Sequence, residues 1–136
     1  MTGRYVLDAS ALIDFVESGP GMRKVDQLLR AAALRQTEIF VSVMNLGEAF
    51  YWLWIKRNED RARQTLDGLS RLPLQIVLVD LPQAIKAGEL KALHKMPYVD
   101  CIAAALALQQ HATLVTADRD FEKLGRHFPV LWIARP

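Results

Sequence analysis

One cysteine, Cys101, stands in a chain of 136 residues. No internal disulfide can form, and a reducing, cytoplasmic setting is expected. Long apolar runs are also missing. No stretch approaches the roughly 18 apolar residues of a membrane span. The N-terminus, Met-Thr-Gly-Arg-Tyr-Val-Leu-Asp, has no basic region followed by a long apolar stretch, so neither a membrane segment nor a signal peptide is expected. No Gly-rich turn follows the first apolar run, which argues against a dinucleotide-binding domain. Histidine is scarce: His94, His111 and His127 are far apart and share no helical spacing, so no ligand pattern for a softer metal is present. Nor is the charge one-sided. A net charge of +2 permits nucleic acid as a partner without demanding it. Repeats, low-complexity stretches and linkers are absent.

What is present suits one domain, residues 1–136. A chain of this size buries roughly two-thirds of its unfolded surface and needs no disulfide or metal staple. Short apolar runs at 5–7, 39–41, 76–79, 114–116 and 130–133 are continuous rather than alternating, as strands covered on both faces should be. Helical patterns fall at about 10–17, 21–35, 43–57, 59–71, 82–94, 97–111 and 119–126. This alternation predicts an α/β fold: a three-layer α/β/α domain with a mostly parallel sheet of four or five strands. Ser10 and Ser42 are candidate N-caps, and Pro97 suits a helix's first turn.

Parallel sheets bind ligands outside the carboxyl ends of their strands, so acids at that edge matter most. Asp8 ends the first strand. Glu48 lies in the second turn of the helix after strand two. Asp100 sits in the first turn of a nearly all-apolar helix, Cys-Ile-Ala-Ala-Ala-Leu-Ala-Leu. Asp118 follows the fourth strand by two residues, and Asp120 begins the next helix. Each could fill an ordinary structural role: a cap, a turn, a dipole-favoured first-turn acid, an exposed helix face. Glu17, Asp26, Asp60, Asp67 and Glu89 read only as solvated faces. As a set, four or five carboxylates in one partly buried pocket would repel strongly, and unpaired buried charges cost several kcal/mol each. A divalent cation removes the conflict. Mg²⁺ or Mn²⁺ favours oxygen ligands, and such a cage suits phosphodiester cleavage. Ser10, Asn45 and Thr116 offer polar groups one layer out.

Four segments then resemble a known family, the PIN-domain ribonucleases, in the small form that serves as the toxin of VapBC-type toxin–antitoxin pairs. They are "YVLDASALI" with Asp8 and Ser10, "SVMNLGEAF" with Glu48, "YVDCIAAALA" with Asp100, and "LVTADRDFE" with Thr116, Asp118 and Asp120. They occur in the family's order across essentially the whole chain. The resemblance implies a single PIN-like nuclease domain acting as a Mg²⁺- or Mn²⁺-dependent endoribonuclease on an RNA substrate. It also implies a homodimer and an antitoxin partner that occludes the site. Asp8, Glu48, Asp100 and Asp118 become the catalytic, metal-binding quartet, with Asp120 a candidate fifth member and Asn45 at a position that is polar in many relatives.

Two rivals stay open. A non-catalytic interaction module would keep the fold without the chemistry. A phosphatase with a nucleophilic Asp would want a second Asp two residues after Asp8, where Ser10 stands. The aromatic run Phe50-Tyr51-Trp52-Leu53-Trp54 reads as core packing, with Tyr51, Trp52 and Trp54 as candidates for meeting an antitoxin or second subunit. Lys56, Arg57, Arg61 and Arg63, and separately Lys86, Lys91 and Lys95, are basic groups that RNA could use. Cys101 reads as a buried small residue.

Overall fold

The computed structural model describes residues 3–133. Its strands are β1 (Arg4–Leu7), β2 (Glu38–Ser42), β3 (Gln75–Val77), β4 (Thr113–Thr116) and β5 (Val130–Trp132). Its helices are α1 (Ala9–Val16), α2 (Met22–Ala33), α3 (Val43–Lys56), α4 (Glu59–Leu69), α5 (Leu81–His94) and α6 (Tyr98–Gln109), and a 3₁₀ helix spans Arg119–Leu124. The strands form one all-parallel sheet in the order β3-β2-β1-β4-β5. The predicted α/β class and parallel sheet are therefore observed.

Strand register explains the three layers. Val6 is level with Phe40 and Leu114, and Leu7 with Val41 and Val115. Neighbours along a strand point to opposite faces. Val6, Phe40 and Leu114 thus join α6 and Ala87 of α5 in one core, while Leu7, Val41 and Val115 join α1, α2 and α3 in the other. The three central strands are buried on both sides, which is why they read as unbroken apolar runs. Helix α2 offers one apolar stripe, Val25, Leu28 and Leu29, at the i, i+3, i+4 spacing of a surface helix. Helix α6 has none to choose: Asp100 through Ala107 are all buried. Its alanines let it lie close against the sheet.

Three expectations need correcting. The outer strands are not covered on both faces: β3 ends at Val77, and Ile76 and Leu78 are exposed, because an edge strand lacks a neighbour and its helical cover thins. The last predicted helix, 119–126, is a 3₁₀ turn closed at Gly125, whose φ of 88° takes the chain out of helical conformation. Ser10 does not cap α1. Asp8 does, accepting from the Ala11 amide at 2.9 Å, and Ser10 is freed for other partners. Ser42 caps α3 through the Met44 amide at 3.2 Å as expected. Cys101 is buried. Tyr51 and Trp54 are exposed and Trp52 half-buried. Among the described residues no helix is long and apolar enough to cross a membrane.

Candidate functional site

The strand order reverses direction at β1 and β4. Chain from β1 continues to α1 on one side of that point, and chain from β4 runs to the 3₁₀ helix on the other. A parallel sheet opens a crevice at such a switch, at the carboxyl ends of its strands. Asp8 ends β1 there and Asp118 follows β4. Asp100 arrives on the first turn of α6, and Glu48 on the second turn of α3. Each acid is fixed by regular structure rather than by a long loop.

Asp8 is nearly inaccessible, at 2% exposure. Its Oδ1 accepts from Ser10 Oγ at 2.7 Å and from the Ala11 amide, and its Oδ2 accepts from Thr116 Oγ1 at 2.5 Å. Thr116 Oγ1 in turn accepts from the Asp118 amide at 2.9 Å, and Ser10 Oγ accepts from the Ala117 amide at 2.9 Å. Two hydroxyls therefore tie the end of β1 to the turn after β4. Asp118 caps the 3₁₀ helix through the Asp120 amide at 2.9 Å. That cap turns the chain so that Asp100, Asp118 and Asp120 can each offer a carboxylate oxygen within 4.8 Å of the others.

Electrostatics show crowding. Burial pushes the Asp8 carboxyl up to about 6, against the pull of its three hydrogen bonds, and the Asp118 charge adds to the rise. Burial also drives Asp100 up to about 7, aided in order by the charges of Asp118, Asp8, Glu48 and Asp120. Glu48 is raised by partial burial and by Asp118, while the Asn45 amide draws it the other way. Five acids thus act on one another, and among the described residues none of them is ion-paired with a Lys, Arg or His. Asn45 is wholly buried, three residues before Glu48, and neither its side-chain oxygen nor its nitrogen has a hydrogen-bond partner. A buried amide left unpaired is costly, and here it lies beside an acid cluster. The donor set is all oxygen with no thiol or imidazole, which fits a hard divalent cation.

The four predicted acids therefore share one electrostatic neighbourhood. Asp8 and Glu48 stand outside the tight triad, and Asp120, given least weight from the sequence, stands inside it. Ser10, Thr116 and Asn45 all lie at this edge. Two of the basic residues singled out from sequence are engaged elsewhere: Glu17, with its side chain only 11% exposed, binds Arg57 at 2.7 Å and Arg61 at 2.8 Å, so it is a largely shielded junction of α1, α3 and α4 rather than a solvated face. Arg63 pairs with Glu59, and Lys86 with Glu89. What sequence reasoning missed is Arg119, whose guanidinium lies 4.6 Å from the centroid of the Trp132 ring; its place between two of the acids was the signal that could have found it.

The family model described as the PIN domain matches residues 5–127. Among solved structures, the chain is similar to VapBC2 from Rickettsia felis bound to a promoter DNA fragment, at a TM-score of 0.75 and 19% identity, covering 94% of this chain and 97% of that one. DNA-bound VapBC from Salmonella typhimurium matches at 0.75 and 17%, covering 98% and 100%. VapC20 from Mycobacterium tuberculosis, a sarcin-ricin loop cleaving toxin, matches at 0.69 and 15%, covering 91% and 95%. Identities this low speak for a common fold. No curated protein sequence matches this chain.

Proposed function

Because this chain belongs to the PIN domain family, we propose that it is a Mg²⁺- or Mn²⁺-dependent endoribonuclease and the toxin of a VapBC-type toxin–antitoxin pair. On this reading residues 1–136 are one cytoplasmic nuclease domain that forms a homodimer and is held inactive by an antitoxin protein. Several neighbours in fold are toxin–antitoxin complexes, which supports the partner. The observation that carries the activity is the meeting of five carboxylates from four separate segments at the strand switch, none of them ion-paired among the described residues.

Asp100, Asp118 and Asp120 are the group that would hold the ion, with Asp8 and Glu48 flanking it. A bound dication supplies Lewis acidity, neutralising the scissile phosphate and favouring ionisation of the attacking water. The chain's own residues do the rest. Ser10 and Thr116 lock both oxygens of Asp8 in one orientation. The Glu48 carboxylate, already raised in proton affinity, takes the proton of the attacking water. Asn45, buried three residues before Glu48 with its amide unpaired, offers donor and acceptor to Glu48, to water or to the phosphate. The apolar cores on either side of the sheet keep these groups rigid, which favours a fixed attack geometry.

The phosphatase alternative loses ground. Ser10 stands where that chemistry wants a second acid, and its hydroxyl is committed to Asp8 and the Ala117 amide. Cleavage of total RNA tests the proposal. Wild-type protein with Mg²⁺ or Mn²⁺ should give discrete products, chelator should abolish them, and Asp8→Asn should lower the rate by more than about 100-fold with the circular dichroism spectrum unchanged. Full activity of Asp8→Asn with metal present would reject the assignment.

A further inference from the structure

Beside the acid cluster, on the α6 side of the sheet, the edge strand β5 and the 3₁₀ helix enclose a groove of about 530 Å³. Phe128 contributes aromatic surface over the buried Phe121, Val130 and Trp132 the strand wall, and Arg126 and Glu122 line it too. This volume falls in the ordinary range of small-molecule sites. The groove shares elements with the acid cluster: the 3₁₀ helix that forms one wall begins at Arg119, between Asp118 and Asp120, and Trp132 sits level with Thr116 in the sheet. Arg119 covers a face of the Trp132 ring, and Lys24 Nζ donates to the Trp132 carbonyl at 2.8 Å.

Several cations stand around this region. Among the described residues, Lys24, Arg119, Lys123 and Arg126 form no ion pair and so keep their charge free, whereas Arg57, Arg61, Arg63 and Lys86 are each paired with a carboxylate. An acidic centre that cleaves RNA must be approached by phosphates it repels, and unpaired cations beside it lower that barrier. Aromatic rings and Arg guanidinium planes are also the surfaces on which unpaired bases stack.

We propose that this groove is a nucleotide subsite for single-stranded RNA. It seats a base next to the cleaved linkage against the Arg119–Trp132 platform, with Arg126 and Lys123 meeting the flanking phosphates. The inference rests on the ribonuclease reading and deepens it. It assigns substrate strand path to the β5 edge rather than to the basic helices α3, α4 and α5. It also predicts a preference for unpaired over duplex RNA, because a stacked base must be splayed out to enter.

The test is equilibrium binding of a short fluorescent single-stranded oligoribonucleotide in EDTA, where no cleavage occurs, with metal-activated cleavage measured alongside. Wild type, Arg126→Ala, Trp132→Leu and the control Lys86→Ala are compared. Arg126→Ala should weaken binding several-fold and flatten its salt dependence by about one phosphate's worth. Trp132→Leu should weaken it by about 5- to 100-fold, as expected for loss of one stacked base, and Lys86→Ala should change nothing. Arg126 is exposed, so its variant keeps the proposal decidable if Trp132→Leu fails to fold. Wild-type cleavage with binding untouched by either groove variant would overturn the subsite and leave the nuclease standing. A wild-type protein that neither binds nor cleaves RNA with Mn²⁺ would bring down both.

Discussion

Thr116 is wholly buried, and its hydroxyl serves several neighbours: it donates to Asp8, accepts from the Asp118 amide and lies 3.2 Å from Ser10 Oγ. Thr116→Val keeps the shape and strands both an acid oxygen and an amide. It should lower unfolding free energy by about 1–3 kcal/mol, measured by urea denaturation, whereas Thr116→Ser should restore most of it. Asn45 makes the opposite case. Its amide is buried without a partner, so Asn45→Leu should leave metal-free stability within about 1 kcal/mol or raise it while cutting the cleavage rate. A large stability loss together with full activity would make Asn45 a plain structural residue. At this scale residue types were easier to read than residue roles. The acids stood out because Asp8 and Asp118 follow apolar strands, and Glu48 and Asp100 interrupt largely apolar helices. The reversal between Asp8 and Ser10 was hidden because both residue types cap helices equally well. The nearness of Asp120 to Asp100 and Asp118 was hard to see because a short acidic 3₁₀ turn looks, in sequence, like a capped helix.

Helix α6 shows what an element does for the site. It carries Asp100 on its first turn and is buried from there to Ala107. Ala104, with no exposed surface, has no room for a larger side chain. Ala104→Leu should cost about 1–3 kcal/mol by overpacking and should displace Asp100, so that thermal stability and cleavage fall together. Loss of stability with unchanged activity would show that α6 does not hold the site. Elements buried on both faces were legible because a continuous apolar run rarely survives anywhere but between two covering layers. The edges were not. Strand β3 shares the apolar character of 76–79, yet Ile76 and Leu78 face solvent, since hydrophobic sequence says nothing about which strand will lack a neighbour. The ion pairs of the basic helices were hidden for a related reason: Arg57 and Arg61 find Glu17, 40 or more residues away in sequence, a contact that no local pattern announces.

Across the whole molecule, the crowded acids couple stability to pH and metal. Asp8 and Asp100 ionise in the folded protein at about 6 and about 7, against an ordinary 3.8. In the window between, the folded chain holds protons that the unfolded chain has released. Metal-free stability should therefore fall as pH rises from about 4 to 7 and level off above, by several kcal/mol in order of magnitude. Urea midpoints in EDTA at pH 5 and pH 8 would show it; a higher midpoint at pH 8 would contradict the crowding. Mn²⁺ should restore stability at pH 8 and do little at pH 5, where protons occupy its ligands.

For this chain to act as a metal-dependent nuclease, carboxylates from distant segments must form one site for a hard dication. Calorimetric titration with Mn²⁺ at pH 7.5 measures that directly, in wild type and in Asp118→Asn. Saturable binding with heats that depend on the buffer, reflecting protons released from the acids, and at least a tenfold loss of affinity in the variant is the predicted result. No binding at millimolar Mn²⁺, or equal affinity in the two proteins, would contradict it.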